Sequence, residues 1–299
     1  MVATPAYDTV FDPQTGEAVP VAPGLVRITA PNASAYTFTG TNSFVIGYER
    51  LALIDPGPDD SAHREALLKA IDGRPLDAIL LTHTHRDHSA GARTMADTLK
   101  APLWFGGPHR LSRPLHGFER NPLKRSADWD LLPDRTLLDG ETITAGDLRL
   151  TVHATPGHCA NHLAFGMGDD LLSGDHVMGW NSTLVAVPDG SMADYFASLD
   201  KVIALPYRRY VPAHGGPIAD GPGFAKALRA HRQGRNEQVL AAVAAGARSI
   251  GAIVAAIYPQ QSFMVRRAAA MTITAHVEFL AQQGLLQVRR WPWGPRITP

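Results

Sequence analysis

The segment Thr82-His83-Thr84-His85-Arg86-Asp87-His88 places three imidazoles and a carboxylate within six positions, directly after the apolar run Ala78–Thr82. A strand ending here carries them to a sheet edge, and the turn that follows splays alternate side chains into one cavity. Packing has no use for such a cluster, and thirteen histidines scattered at random would rarely produce H-x-H-x-D-H. Imidazole and carboxylate donors suit zinc, iron or manganese. A catalytic ion keeps an open coordination position, which calls for further donors from elsewhere in the chain. His158 follows Pro156-Gly157, Asp175 follows Ser173-Gly174, and His214 follows Val211-Pro212-Ala213. Each comes after a predicted strand and opens a turn. The donors divide into two sites that share one bridging carboxylate.

Such a site needs strands that end together. Turn residues and apolar alternation predict strands over Leu25–Ala30, Ser43–Tyr48, Leu51–Asp55, Ala78–Thr82, Thr142–Ala145, Leu148–His153, His162–Met167, Asp170–Leu172 and Tyr210–Pro212. Helical spacing covers His63–Ile71 and Tyr195–Ala204. Strands first, then mixed crossovers, fit an α/β chain of two sheets covered by helices; no G-x-G-x-x-G of a Rossmann layout is present. Gly106 to Pro133, with Pro108, Pro114 and Pro122 and little periodicity, reads as a long surface excursion, functional or decorative. Composition breaks at Gly215-Gly216-Pro217 and Gly221-Pro222-Gly223. Helices are then predicted over Phe224–Ala245, Ser249–Tyr258 (with Ser249 as N-cap) and Ala268–Gln283, the last stopped by Gly284, with a strand over Leu285–Trp291. That order is the order of a small winged-helix module. The division is therefore a catalytic domain over 1–221 and a C-terminal winged-helix-like domain over 222–299.

With 299 residues, 45% hydrophobic and 19% charged, the chain has enough apolar material for two cores and is no disordered tail. The lone Cys159 excludes an internal disulfide framework. No basic-then-apolar leader opens the sequence, and no apolar run is long enough to span a bilayer, so a cytoplasmic location without membrane contact is expected. The formal charge of zero hides an asymmetry. Residues 1–221 hold 18 basic and 26 acidic side chains, whereas 222–299 hold 10 basic ones and only Glu237 and Glu278. Either two modules attract each other or the basic one meets nucleic acid.

H-x-H-x-D-H resembles the signature of the metallo-beta-lactamase superfamily, whose αββα fold packs two sheets between helices. The resemblance implies His83, His85 and His158 on one metal and Asp87, His88 and His214 on the other, with Asp175 bridging. Asp55, in Ile54-Asp55-Pro56-Gly57, matches an acid that orients a ligand imidazole without binding metal itself. Gly40–Gly47, Gly157-His158-Cys159-Ala160-Asn161-His162, Gly174–Trp180, Pro188–Tyr195 and His231-Arg232-Gln233-Gly234-Arg235 resemble the beta-lactamase-like protein 2 group, which carries a C-terminal winged helix. Asn236 departs from the Glu expected there. The implied activity is hydrolysis of an ester, thioester, lactone or phosphodiester by hydroxide held on two divalent ions, zinc first, with iron or manganese as alternatives. Asp87 would aim that hydroxide and serve as the catalytic residue.

The remaining chemistry-bearing residues divide more evenly. His162 stands four residues after a ligand and either supports it or does not. Cys159 is expected to be a small buried thiol. His176 is expected at the rim or in a solvated loop, Tyr195 in the pocket or at the edge of the core. His109, His116 and His153 read as ordinary polar residues. Trp291 and Trp293 beside Arg289 and Arg290 either stack on bases or anchor the tail. The partner is thus a small-molecule substrate or, on the alternative of a single-stranded RNA endonuclease, RNA gripped by the basic module. A non-enzymatic role is disfavoured, because structural zinc uses closed four-ligand shells.

Overall fold

The computed structural model describes residues 5–117, 119–291 and 294–299. Four antiparallel strands, β1 (Val19–Ala22), β2 (Leu25–Thr29), β3 (Asn42–Gly47) and β4 (Leu51–Ile54), lead through helix α1 (Ser61–Ile71) to β5 (Leu76–Leu80), parallel to β4. The single turn α2 (Arg86–Ser89) and helix α3 (Ala92–Leu99) precede β6 (Leu103–Phe105), and a long irregular segment reaches β7 (Arg135–Thr136); both strands extend the sheet in parallel. The first sheet thus has seven strands in chain order. The second is the meander β8 (Thr142–Ala145), β9 (Leu148–Ala154), β10 (Leu163–Met167) and β11 (Asp170–Gly174), joined across helix α4 (Met192–Ala204) to β12 (Arg209–Pro212), parallel to β11. Helices α5 (Gly221–Ala244), α6 (Ile250–Ile257) and α7 (Phe263–Gln282) and the antiparallel hairpin β13 (Gln287–Arg289) and β14 (Arg296–Thr298) complete the chain.

The period of two in the strands explains the layers. Phe44, Ile46, Ala52, Ile54, Ala78 and Leu80 face Leu150, Val152, Phe165 and Val211 of the second sheet. Their neighbours Val45, Leu51, Leu53 and Ile79 point the other way, onto Leu67 and Ile71 of α1 and Met95 of α3. Both faces are apolar because both are covered. The outer face of the second sheet packs Leu171 and Tyr210 against Tyr195 and Leu199 of α4 and Ala225 and Leu228 of α5. This is the expected αββα sandwich. The C-terminal half of α5, with α6, α7 and the hairpin, builds a further core around Val239, Ile253, Val277 and Ile297.

Element ends differ from the sequence expectation in instructive places. Helix α5 starts within Gly221-Pro222-Gly223 itself, because Asp220 accepts from the Gly223 N–H (2.9 Å) and a proline is harmless in a first turn. Position 222 therefore lies in the first turn of a helix that runs from sandwich to C-terminal core. Helix α7 begins at Phe263, ahead of the expected Ala268, behind the N-cap Ser262. Ser249 caps α6 as expected, accepting from the Ala252 N–H. The single strand expected near the C-terminus is a hairpin; Trp293 lies outside the described residues. No helix among the described residues is long and apolar enough to cross a membrane.

Candidate metal centre

The segment after β5 is held by the one after β4. Asp55, in a left-handed conformation (φ 50°), accepts from the Thr82 N–H (2.7 Å) and the Thr82 hydroxyl (2.6 Å). It also accepts from His88 Nδ1 (3.0 Å). Thr82 Oγ1, its own proton given to Asp55, accepts from His83 Nδ1 (3.0 Å). One buried carboxylate thus orients two imidazoles, one directly and one through a hydroxyl.

The second sheet supplies the other groups. His158 follows β9 and donates from Nδ1 to the Leu184 carbonyl (2.7 Å), and His214 follows β12 and donates from Nδ1 to the Gly40 carbonyl (3.1 Å). His162 donates to Thr155 Oγ1 (2.8 Å), so its Nε2 is free to accept the Asp175 N–H (3.1 Å). That contact explains Gly174, since a Cβ there would stand 2.7 Å from His162 Nε2. His162 therefore supports Asp175 through its backbone.

All seven predicted donors come together. Ligand-capable atoms of His83, His85 and His158 lie within 4.8 Å of one another, as do those of His83, His88 and Asp175, and those of Asp87, His88 and His214. Asp175 spans the groups, with Oδ1 3.3 Å from His214 Nε2 and 3.6 Å from His88 Nε2, and Oδ2 3.6 Å from His158 Nε2. Asp87 Oδ2 stands 3.4 Å from His214 Nε2 and 3.5 Å from His88 Nε2.

The donor set fits two cations. In each of the five imidazoles one nitrogen donates to an oxygen, which leaves the converging nitrogen a bare acceptor. His85 Nδ1 accordingly faces His158 Nε2 at 2.8 Å and His83 Nε2 at 3.1 Å, lone pair against lone pair, an arrangement that calls for positive charge between them. His88 Nε2, His214 Nε2 and Asp175 Oδ1 are buried without a hydrogen-bond partner. Titration follows the same charges. Burial opposes protonation of His214, yet Asp175 and Asp87 carry it up to about 10, so where no ion is bound a proton on Nε2 supplies the positive charge that these carboxylates call for. Burial and the neighbouring His85 bring His158 down to about 4. Against the cost of burial, His88 and His214 hold Asp87 well below the ordinary carboxylate range.

Part of the site was not foreseen. Asp189, fully buried, accepts from His85 Nε2 (2.9 Å) on one oxygen and from His109 Nε2 (2.8 Å) on the other. His109 is therefore no ordinary polar residue: it is buried, reaches Thr84 Oγ1 with Nδ1 (2.8 Å), and fixes the acid that fixes His85. Its signal was Asp189-Gly190 ahead of the Ser191 cap, which reads locally as a turn alone. The irregular segment that carries His109 pairs Arg86 N–H with the Ser126 carbonyl and Asp128 N–H with the Thr84 carbonyl, so it walls the site. Arg113 ties it to Glu119 and to Glu278 of α7. His176 is neither at a rim nor solvated; it is buried against the Tyr195 ring. Tyr195 is core, its hydroxyl donating to the His176 carbonyl (3.0 Å). Cys159 is a buried thiol, pushed well up by burial. His153 pairs with the Tyr207 hydroxyl (2.9 Å), far from the donors in role.

A cavity of about 640 Å³ opens above the donors, between the Tyr36 loop, the irregular segment at Pro122 and Leu123, and α7. Trp180 lines one side, and its ring stacks on Phe38 at 4.9 Å. Asp87 and Asp175 lie at its floor.

The family model described as "Metallo-beta-lactamase superfamily" matches residues 36–214. A "Beta-lactamase-like protein 2 homolog" of Drosophila melanogaster is 27% identical over 282 residues, 89% of this chain and 90% of the relative. An "Atrochrysone carboxyl ACP thioesterase" of Aspergillus chevalieri is 27% identical over 231 residues, 75% of this chain and 67% of the relative. Among solved structures, a "Beta-lactamase domain protein from Burkholderia ambifaria" shares the fold with a TM-score of 0.79 and 23% identity, over 98% of this chain and 97% of that one.

Proposed function

From a chain that belongs to the metallo-beta-lactamase superfamily, we propose a dinuclear metal-dependent hydrolase whose substrate is an acyl thioester. One observation carries this: five imidazoles tied at one nitrogen turn their bare nitrogens, with two carboxylates, onto a common volume beneath a cleft. His83, His85 and His158 would hold one divalent ion and Asp87, His88 and His214 the other, with Asp175 shared. Zinc suits this nitrogen-rich set. Two ions held so would supply an acidified water and polarise the attacked carbonyl.

The chain's own residues do the rest. Asp87 keeps its carboxylate partly open to the cleft, with the side chain 29% exposed, and stays ionised, so the oxygen not turned to His88 and His214 can accept a proton from the attacking water and aim it. Asp55, Asp189 and the carbonyls of Leu184 and Gly40 keep the imidazoles in the binding tautomer. The apolar walls receive an acyl chain and exclude water from it. A thioester is chosen over an ester, lactone or phosphodiester on those walls and on the activity printed for the Aspergillus relative.

The test is elemental analysis of protein purified without chelator, joined to thiol release from acyl thioesters. A p-nitrophenyl ester, a lactone and single-stranded RNA serve as competitors. About two transition-metal ions per chain are expected, with thiol release abolished by chelator and restored by metal. Absence of metal uptake, or cleavage of RNA alone, would overturn the proposal.

A further inference from the structure

Two guanidinium groups in the cleft have no part in holding the donors. Arg86, on α2, and Arg267, on α7, both line the cavity and both are exposed. Among the described residues neither has an acidic partner, although partners are common nearby. Arg113 pairs with Glu119 and Glu278, and Arg290 with Glu278. Arg266, beside Arg267 in sequence, turns away and donates to the carbonyls of Tyr258 and Pro259. The cavity's own acids, Asp87 and Asp175, face the imidazoles at the floor. The same cavity is lined by the apolar side chains of Leu123, Met178, Trp180, Leu184 and Met271, with Thr37, Ser126, Asn181 and Ser182 among them.

A cation beside apolar walls attracts an anion more strongly than one in open water, since the local dielectric is lower. The planar guanidinium fork fits a carboxylate or a phosphate with two parallel N–H bonds. We infer that the cleft is specific for thioesters bearing an anionic group, carboxylate or phosphate, which Arg267 and Arg86 hold while the apolar walls take the intervening chain. This specificity rests on the thioesterase reading. It gives α7 a function in the sandwich's chemistry, because Arg267 is the C-terminal region's charged contribution to the cleft.

The experiment compares matched substrates on the metal-loaded protein. Glutaryl and pentanoyl thioesters of N-acetylcysteamine test a carboxylate on the acyl side. Pentanoyl phosphopantetheine against pentanoyl pantetheine tests a phosphate on the thiol side. In one of the two pairs kcat/KM should favour the anionic member by about tenfold or more, the worth of a hydrogen-bonded ion pair. R267Q and R86Q should each shrink that ratio, and the double variant should bring it close to one, with circular dichroism unchanged. The pair that responds identifies the anion. Equal rates for charged and neutral substrates in the unaltered protein, or a ratio that survives the double variant, would overturn the inference. Should no thioester be hydrolysed, the thioesterase reading fails. Calorimetric titration with glutarate and phosphopantetheine then still decides the anion site: heat lost in R267Q supports it, and no binding to the unaltered protein overturns it.

Discussion

Asp87 and Cys159 sit close to the same donors and have opposite prospects. Asp87→Ala should lower kcat by at least about 100-fold, the usual worth of a positioned proton acceptor, while the fold persists because the side chain is partly exposed. Turnover that survives in the folded variant would remove Asp87 from catalysis. Cys159→Ser should keep most of the activity, its thiol being buried beside Asn161 and its sulfur serving no donor cluster. His63 makes a different prediction. It is packed under Gly57 and bonded to Ser43 Oγ (2.8 Å), and burial brings it down to about 4. An unfolded histidine titrates near 6.5, so as pH falls the unfolded chain takes the proton first. Stability from this group is complete above about pH 6.5 and lost between there and about 4, by roughly 3 kcal/mol at most. Urea midpoints across that window should therefore fall more steeply for the unaltered protein than for His63→Gln, and parallel curves would contradict the assignment.

At the scale of elements, the irregular segment between β6 and β7 is the part most easily misread. Its prolines and lack of period signal a loop, and nothing local reveals that His109 completes a bond chain through Asp189 to His85. The motif His83 to His88 was legible because its donors are neighbours in sequence. Asp189 and His109 are eighty residues apart and meet only through tertiary structure. Helix starts went astray for a related reason: Asp220 and Ser262 cap helices whose first turns contain glycine, proline or aromatic residues rather than a clean apolar period. If the segment does position His85, His109→Ala should weaken metal binding by about 10-fold or more while leaving secondary structure intact, as loss of a ligand's supporting partner does. Competition with a chromogenic chelator measures this, and an unchanged affinity would reduce the segment to a wall. Truncating a strand residue such as Leu53 should instead cost about 2–5 kcal/mol of stability without altering the donors' geometry.

For the whole molecule, the sandwich was readable from alternation, since apolar residues on both faces of β3, β4 and β5 demand two covering layers. The sequence's charge asymmetry was less informative. Of the basic side chains beyond 222, Arg229 pairs with Asp200 of α4 and so meets the acidic portion, whereas Arg290 pairs inside its own region with Glu278, which also takes Arg113. Donors come from both sheets, so bound ions should brace the entire sandwich. At a free metal concentration 100 times the dissociation constant the added stability is about 2.7 kcal/mol, which for a chain of 299 residues raises Tm by roughly 4 °C. Calorimetric scans with and without chelator test it; coincident transitions would show that the donors are not loaded.

The division of donors between sheets also sets a schedule for synthesis. His83, His85, Asp87 and His88 leave the ribosome together, while His158, Asp175 and finally His214 follow much later. At ordinary elongation rates, on the order of ten seconds separate the first donor from the last. During that interval the nascent chain displays half a binding site with no Asp175 to join it to the other half. Ion capture therefore cannot nucleate this fold. It must await a sandwich already closed, so a chain cut short before His214, lacking a donor of the second group, would never assemble the full site.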